Sequence, residues 1–90
     1  MTLLEAVQSL DSLDIDSTIY AAEPWTPDSD VVLLRETDAG VVTSQDLAEG
    51  ITYFLEVFIA LEVLEDWVPQ NVPTLLDKCT RLIQYATYDA

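Results

Sequence analysis

The stretch Gly50–Val68, GITYFLEVFIALEVLEDWV, is the longest nearly uninterrupted apolar run in the chain, and every flanking segment is more polar. Whatever this protein folds into must be built around it. The placement of one carboxylate decides how. As a single helix the run would aim Glu56 into the apolar face made by Ala60, Val63, Leu64 and Trp67, and would set Leu55 and Phe58 among Glu62, Glu65 and Asp66. A period of two instead puts Ile51, Tyr53, Leu55 and Val57 on one face and Thr52, Phe54 and Glu56 on the other. From about Phe58 the period becomes helical, with Ile59, Ala60, Val63, Leu64, Trp67 and Val68 forming a wide apolar arc opposite Glu62, Glu65 and Asp66. The run therefore predicts a strand followed by a helix that Pro69 ends.

The same periodicity places the other elements. Thr2-x-x-Glu5 has the spacing of a capping box, and Leu3, Leu4, Ala6, Val7, Leu10 and Leu13 then share one side of an amphipathic helix over residues 3 to 13. Thr18–Ala21 reads as a short strand entering the loop AEPWTPDSD. Val31–Leu34 reads as a strand covered on both faces. Turn chemistry follows at Thr37–Gly40, a further strand is open at Val41–Thr43, and Ser44–Gly50 could make one helical turn. Pro73 suits the first turn of a last helix, whose stripe of Leu75, Leu76, Cys79, Leu82, Ile83 and Ala86 runs through residues 74–88. The expectation is one α+β domain over residues 1–90: an N-terminal helix, a small sheet of about three strands, and two C-terminal helices packed on one face.

Charge narrows the functions open to such a domain. Seventeen Asp and Glu against three Lys and Arg give a formal net charge of -14, beyond the magnitude of about 2–8 that keeps a small domain soluble. Such a surface repels phosphate backbones and anionic lipid, so direct nucleic-acid or membrane binding is not expected. Two readings remain: a basic protein partner whose approach the field accelerates, or solubility alone. With half of its residues hydrophobic, the chain is expected to fold rather than stay disordered. No basic leader segment and no carboxylate-free run of 18 apolar residues occur, which points to the cytoplasm.

The chemistry-bearing side chains are few. The chain has no His and one Cys, which excludes Ser-His-Asp and Cys-His arrangements, an internal disulfide and zinc sites built on His or several Cys. Two glycines leave no phosphate loop and no dinucleotide motif. Asp11, Asp14 and Asp16 miss the EF-hand pattern, because its sixth and twelfth places hold Asp16 and Ala22 counting from Asp11, and Ile19 and Trp25 counting from Asp14. Asp28 and Asp30 form a DxD pair with no histidine to support a metal, and no cofactor is expected. Trp25, bracketed by Pro24 and Pro27, serves either as a plug of the core or as a binding anchor. Lys78, Arg81, Tyr85 and Tyr88, spaced three, four and three, are expected to stack on one exposed ridge of the last helix. That ridge and the acidic residues Glu62, Glu65 and Asp66 are the candidate interaction surface.

The segments EPWTPDSD (23–30), YFLEVFIA (53–60), LEDW (64–67) and KCTRLIQYATYDA (78–90) together resemble a group of small acidic bacterial proteins with no assigned activity. The resemblance implies no site residues. The reading is a non-catalytic interaction module, of which an immunity protein or antitoxin-like inhibitor of a basic partner would be an example. The alternatives are a mimic of a DNA duplex and a small carboxylate-based metal enzyme using Asp28 and Asp30. A three-stranded sheet with an open face or edges also makes a homodimer a reasonable expectation.

Overall fold

A computed structural model describes residues 1–35 and 50–88. The elements run α1 (Leu3–Gln8), a 3-10 turn (Leu10–Ser12), β1 (Ser17–Ala22), β2 (Val31–Arg35), β3 (Ile51–Glu56), α2 (Val57–Asp66) and α3 (Leu75–Tyr88). The expected α+β architecture is present. The turn expected at 37–40, the strand left open at 41–43 and the helical turn expected before Gly50 fall on positions outside the described residues.

α1 begins as its capping box requires. The Glu5 N–H donates to Thr2 Oγ1 (3.2 Å) and the Thr2 N–H donates to Glu5 Oε1 (2.9 Å). This backbone bond holds the Glu5 carboxyl below its ordinary value of 4.5. A lowered folded value means that the stabilisation is present above 4.5 and is lost as pH falls from there through the lowered one. Thr2→Ala is expected to cost about 0.5–2 kcal/mol near neutral pH. Glu5→Gln should remove the corresponding part of the acid-side slope, which melts between about pH 6 and about pH 3 would show.

The predicted 3–13 helix is shorter than its apolar pattern. The Ser9 N–H and hydroxyl both donate to the Glu5 carbonyl, Ser9 leaves helical geometry, and the chain tightens into the 3-10 turn. A serine side chain bonding four residues back competes with continuation of the helix. Leu10 still reaches the core and Leu13 packs against it.

The sheet has the order β2-β1-β3, with β1 antiparallel to both neighbours. Among the described residues β2 lies at one edge of the sheet, and it is not covered on both faces as expected: Val31 and Leu33 pack against the core, but all four of its apolar residues are only half-buried. Beside its start lies the N-terminal chain, where Val31 N–H donates to the Met1 carbonyl (2.9 Å) and Leu3 N–H to the Ser29 carbonyl (2.8 Å). At the other edge Gly50 takes φ +84°, a backbone region that favours glycine. Its carbonyl accepts from the Glu23 N–H (2.9 Å) and aligns β3.

β3 departs from strict alternation. Ile19 pairs with Leu55 but the next residue, Tyr20, pairs with Tyr53, so Phe54 is an extra residue in the ladder. A bulge of this kind lets two consecutive side chains face the same way. Phe54 and Leu55 are 1% and 0% exposed, whereas Tyr53 is 46% exposed and lies edge-on to Tyr20 with ring centroids 6.2 Å apart. The expected placement of Phe54 with Glu56, across the sheet from Leu55, is therefore corrected. Tyr53's hydroxyl is pushed above its usual range, first by burial of part of the ring and then by the Glu56 carboxylate.

All three helices contribute to one core. Leu3, Val7 and Leu10 meet Ile19, Ala21, Phe54 and Leu55 of the sheet, Val57, Ala60 and Val63 of α2, and Cys79 and Leu82 of α3. α2 starts at Val57, one residue before the expected Phe58, and Phe58 is left 42% exposed. It stops at Asp66, with Trp67 already extended (ψ 128°). Proline disfavours helical geometry in the residue before it, so Val68 cannot carry the helix on to Pro69. Val68 consequently leaves the predicted apolar arc and is 89% exposed. At α3 the cap is Thr74 rather than Pro73: Thr74 N–H donates to Asp77 Oδ2 (2.9 Å) and Asp77 N–H to Thr74 Oγ1 (3.1 Å). No helix among the described residues is long and apolar enough to cross a membrane.

Candidate functional site

The loop after β1 is ordered by its own polar groups. Ser29 is buried; its Oγ accepts from the Thr26 N–H (2.8 Å) and donates to the Pro24 carbonyl (3.2 Å). Pro27's carbonyl accepts from the Leu4 N–H (2.9 Å), and the Glu23–Pro24 peptide is cis. This frame sets Trp25 edge-on against Phe54, centroids 5.1 Å apart and planes at 88°. Its indole N–H donates to the Ala21 carbonyl at 3.3 Å. Trp25 has the geometry of the plug of its two alternatives, with one flank lining a surface hollow beside Glu23, Pro24, Ala86 and Thr87.

The DxD pair and the aspartates of the 11–16 turn are taken up locally. At the DxD pair the backbone is what is engaged: the Asp28 N–H donates to Thr26 Oγ1, and Asp30 forms an isolated backbone β-bridge with Thr2. Asp14 and Asp16 flank Arg35 at 3.6 and 3.3 Å, all three well exposed. These are the only ion pairs among the described residues, and exposed pairs contribute about 0–1 kcal/mol. Also among the described residues, no three Cys, Asp or Glu side chains converge as a metal-holding group.

The expected ridge on α3 is not one surface. Lys78 and Tyr88 are exposed, Tyr88 81% so. Arg81 and Tyr85 are half-buried, and Tyr85 packs against the core. The physical reason is the position of α2, which lies along this flank of α3: Ile59, Glu62, Val63 and Asp66 line a small cleft of about 250 Å³ with Arg81 and Tyr85. Lys78 lines a different groove, floored by Val7, Leu10, Leu61, Leu64 and Leu75. The structure thus brings Arg81 and Tyr85 together with Glu62 and Asp66, and separates them from Trp25.

Arg81 is the unusual member of this group. Its Nε is hidden from solvent and, among the described residues, has no hydrogen-bond partner and no carboxylate within 4.0 Å of the side chain. A buried donor left unpaired costs about 1–3 kcal/mol, more for a charged group. On its other side Arg81 lines a cleft of about 470 Å³ between the 67–73 connection and α3. Periodicity could not reveal this, because a helical wheel places Arg81 away from the apolar stripe and says nothing about the connection beside it. Cys79 is fully buried in the stripe, and burial raises its thiol to about 11, which keeps it protonated and unreactive at neutral pH.

No protein-family model matches the chain, and neither a curated protein nor a solved structure does.

Proposed function

We propose that this protein is a non-catalytic binding module that docks a basic protein segment through the carboxylate-bearing face of α2. The reading is supported by one arrangement. Glu62, Glu65 and Asp66 are exposed and spaced by three and four residues at the end of α2, and none has a cation within 4.0 Å. The helix has no acid in its first turn and no base in its last. Glu65 and Asp66 therefore sit at the negative end of the macrodipole and both face repulsion from Glu62 one turn earlier, each effect unfavourable by a few tenths to about 1 kcal/mol. With a net charge of -14, solubility does not need them there. A cationic partner would relieve the repulsion on binding, so the free chain's instability at this end becomes affinity.

The test is a titration of isotopically labelled protein with a lysine- and arginine-rich peptide, read residue by residue. Shifts are expected to begin at 62, 65 and 66, and affinity should fall by roughly tenfold or more between about 20 mM and about 200 mM salt. Shifts spread evenly over every acidic position, or affinity indifferent to salt, would count against docking at α2.

A further inference from the structure

We infer that the cleft between the 67–73 connection and α3 is a binding site for a monoanionic carboxylate with a small apolar body, the chemistry of an acylated amino acid or of a peptide's C-terminal residue. The anchor is the guanidinium of Arg81. Its Nε, buried and without a partner, shows a group held in place by packing on α2 rather than by hydrogen bonds. The terminal nitrogens are thereby left available for the fork-like pairing that a carboxylate accepts.

The rest of the lining suits the same ligand. Gln70, Asn71, Thr80 and Gln84 line the cleft with Arg81, and none of their side chains makes a hydrogen bond among the described residues. The indole N–H of Trp67, at the same cleft, has no partner among the described residues either. Donors from both the connection and α3 therefore meet beside one cation. Apolar surface comes from Trp67, Val68, Pro69 and Pro73, and about 470 Å³ lies within the range of about 300–1,000 Å³ typical of small-molecule sites. The one carboxylate in the lining, Asp77, accepts the Thr74 N–H at the start of α3 but keeps its negative charge, which further disfavours a dianion against a monoanion.

The overall charge selects among anions. A surface of net charge -14 opposes a dianion about twice as strongly as a monoanion, which favours a carboxylate over a phosphate. Outside the cleft the exposed cationic side chains are Lys78 and Arg35, so Arg35→Gln serves as the control for attraction to a charge elsewhere on the surface. This site does not depend on docking at Glu62, Glu65 and Asp66. Either can fail alone, since the basic peptide is read at α2 and the carboxylate at the Trp67 indole.

The experiment is an NMR titration of the full chain with N-acetyl-leucine, with N-acetyl-leucinamide and inorganic phosphate as the uncharged and dianionic comparisons. A saturable shift of the Trp67 indole N–H is expected with the acid alone, with the Trp25 indole unmoved. Arg81→Gln should weaken binding at least about tenfold, Arg81→Lys less, and Arg35→Gln not at all. Where Arg81→Gln fails to fold, the exposed Gln84→Ala takes its place, with an expected weakening of about threefold. Equal shifts with the amide, tighter binding of phosphate at the same resonances, or unchanged affinity in the folded Arg81 or Gln84 variant would each overturn the inference.

Discussion

Replacing Phe54 by alanine is expected to destabilise the domain by about 3–5 kcal/mol, a large part of the roughly 5–15 kcal/mol that holds a domain of this kind together. Phe54 heads the fully buried side chains by volume and meets Trp25 edge-on at 5.1 Å. Its removal leaves a cavity that the bulged strand cannot easily close. Leu55→Ala, at the adjacent position, should cost about 2–5 kcal/mol. Tyr53→Ala should cost no more than about 1.5 kcal/mol, because the ring is 46% exposed and loses chiefly its edge contact with Tyr20. Urea titrations with an unchanged slope would measure all three. Severe losses at two consecutive strand positions, next to a mild one, are what the bulge requires. A mild effect at either Phe54 or Leu55 would restore simple alternation and remove it.

Neutralising the end of α2 works in the opposite direction. The combined change Glu62→Gln, Glu65→Gln and Asp66→Asn is expected to stabilise the free protein by about 1–2 kcal/mol, through removal of like-charge repulsion and of the unfavourable dipole interactions of Glu65 and Asp66. For a domain of this size each kcal/mol corresponds to about 4–8 °C in Tm. Calorimetry at low salt should show the rise, and at about 1 M salt, where the screening length is about 3 Å, most of it should vanish. The same variant should lose its affinity for the basic peptide. Stability gained together with binding lost would identify carboxylates retained at a cost to the fold. An unchanged Tm would mean that α2 carries no such cost, and the argument for docking there would fall with it.

Much of the architecture is legible in residue order because its causes are local. Thr2 and Glu5 are close enough in the chain to satisfy each other's backbone groups whatever surrounds them. Glu56 divides the central run because a helix would drive its charge into apolar surface. Thr74 and Asp77 carry the same reciprocal signature as Thr2 and Glu5, and that signal was present but masked by the more conspicuous Pro73. The shortening of α1 at Ser9 is subtler, since a serine can equally face solvent within a helix.

The candidate sites were less legible. Trp25 offered two roles of similar chemical merit, and only the position of Phe54 beneath it gives the ring the geometry of a plug. Lys78, Arg81, Tyr85 and Tyr88 have ridge spacing, yet spacing describes one helix and not its neighbours. α2 lies along one flank and takes Arg81 and Tyr85 with it, while Lys78 turns to the groove beside α1.

By itself the sequence determined the α+β class, the change from strand to helix around residue 57, the Thr2–Glu5 cap and the acidic composition. Each follows from interactions within a few residues or from composition. Tertiary structure alone decided the strand order, the bulge that turns both Phe54 and Leu55 inward, and the isolation of Arg81 between α2 and the 67–73 connection. Those depend on which distant segments meet, and so on the register of β3 against β1 and the packing of α2 on α3, where residues far apart in the chain set each other's surroundings.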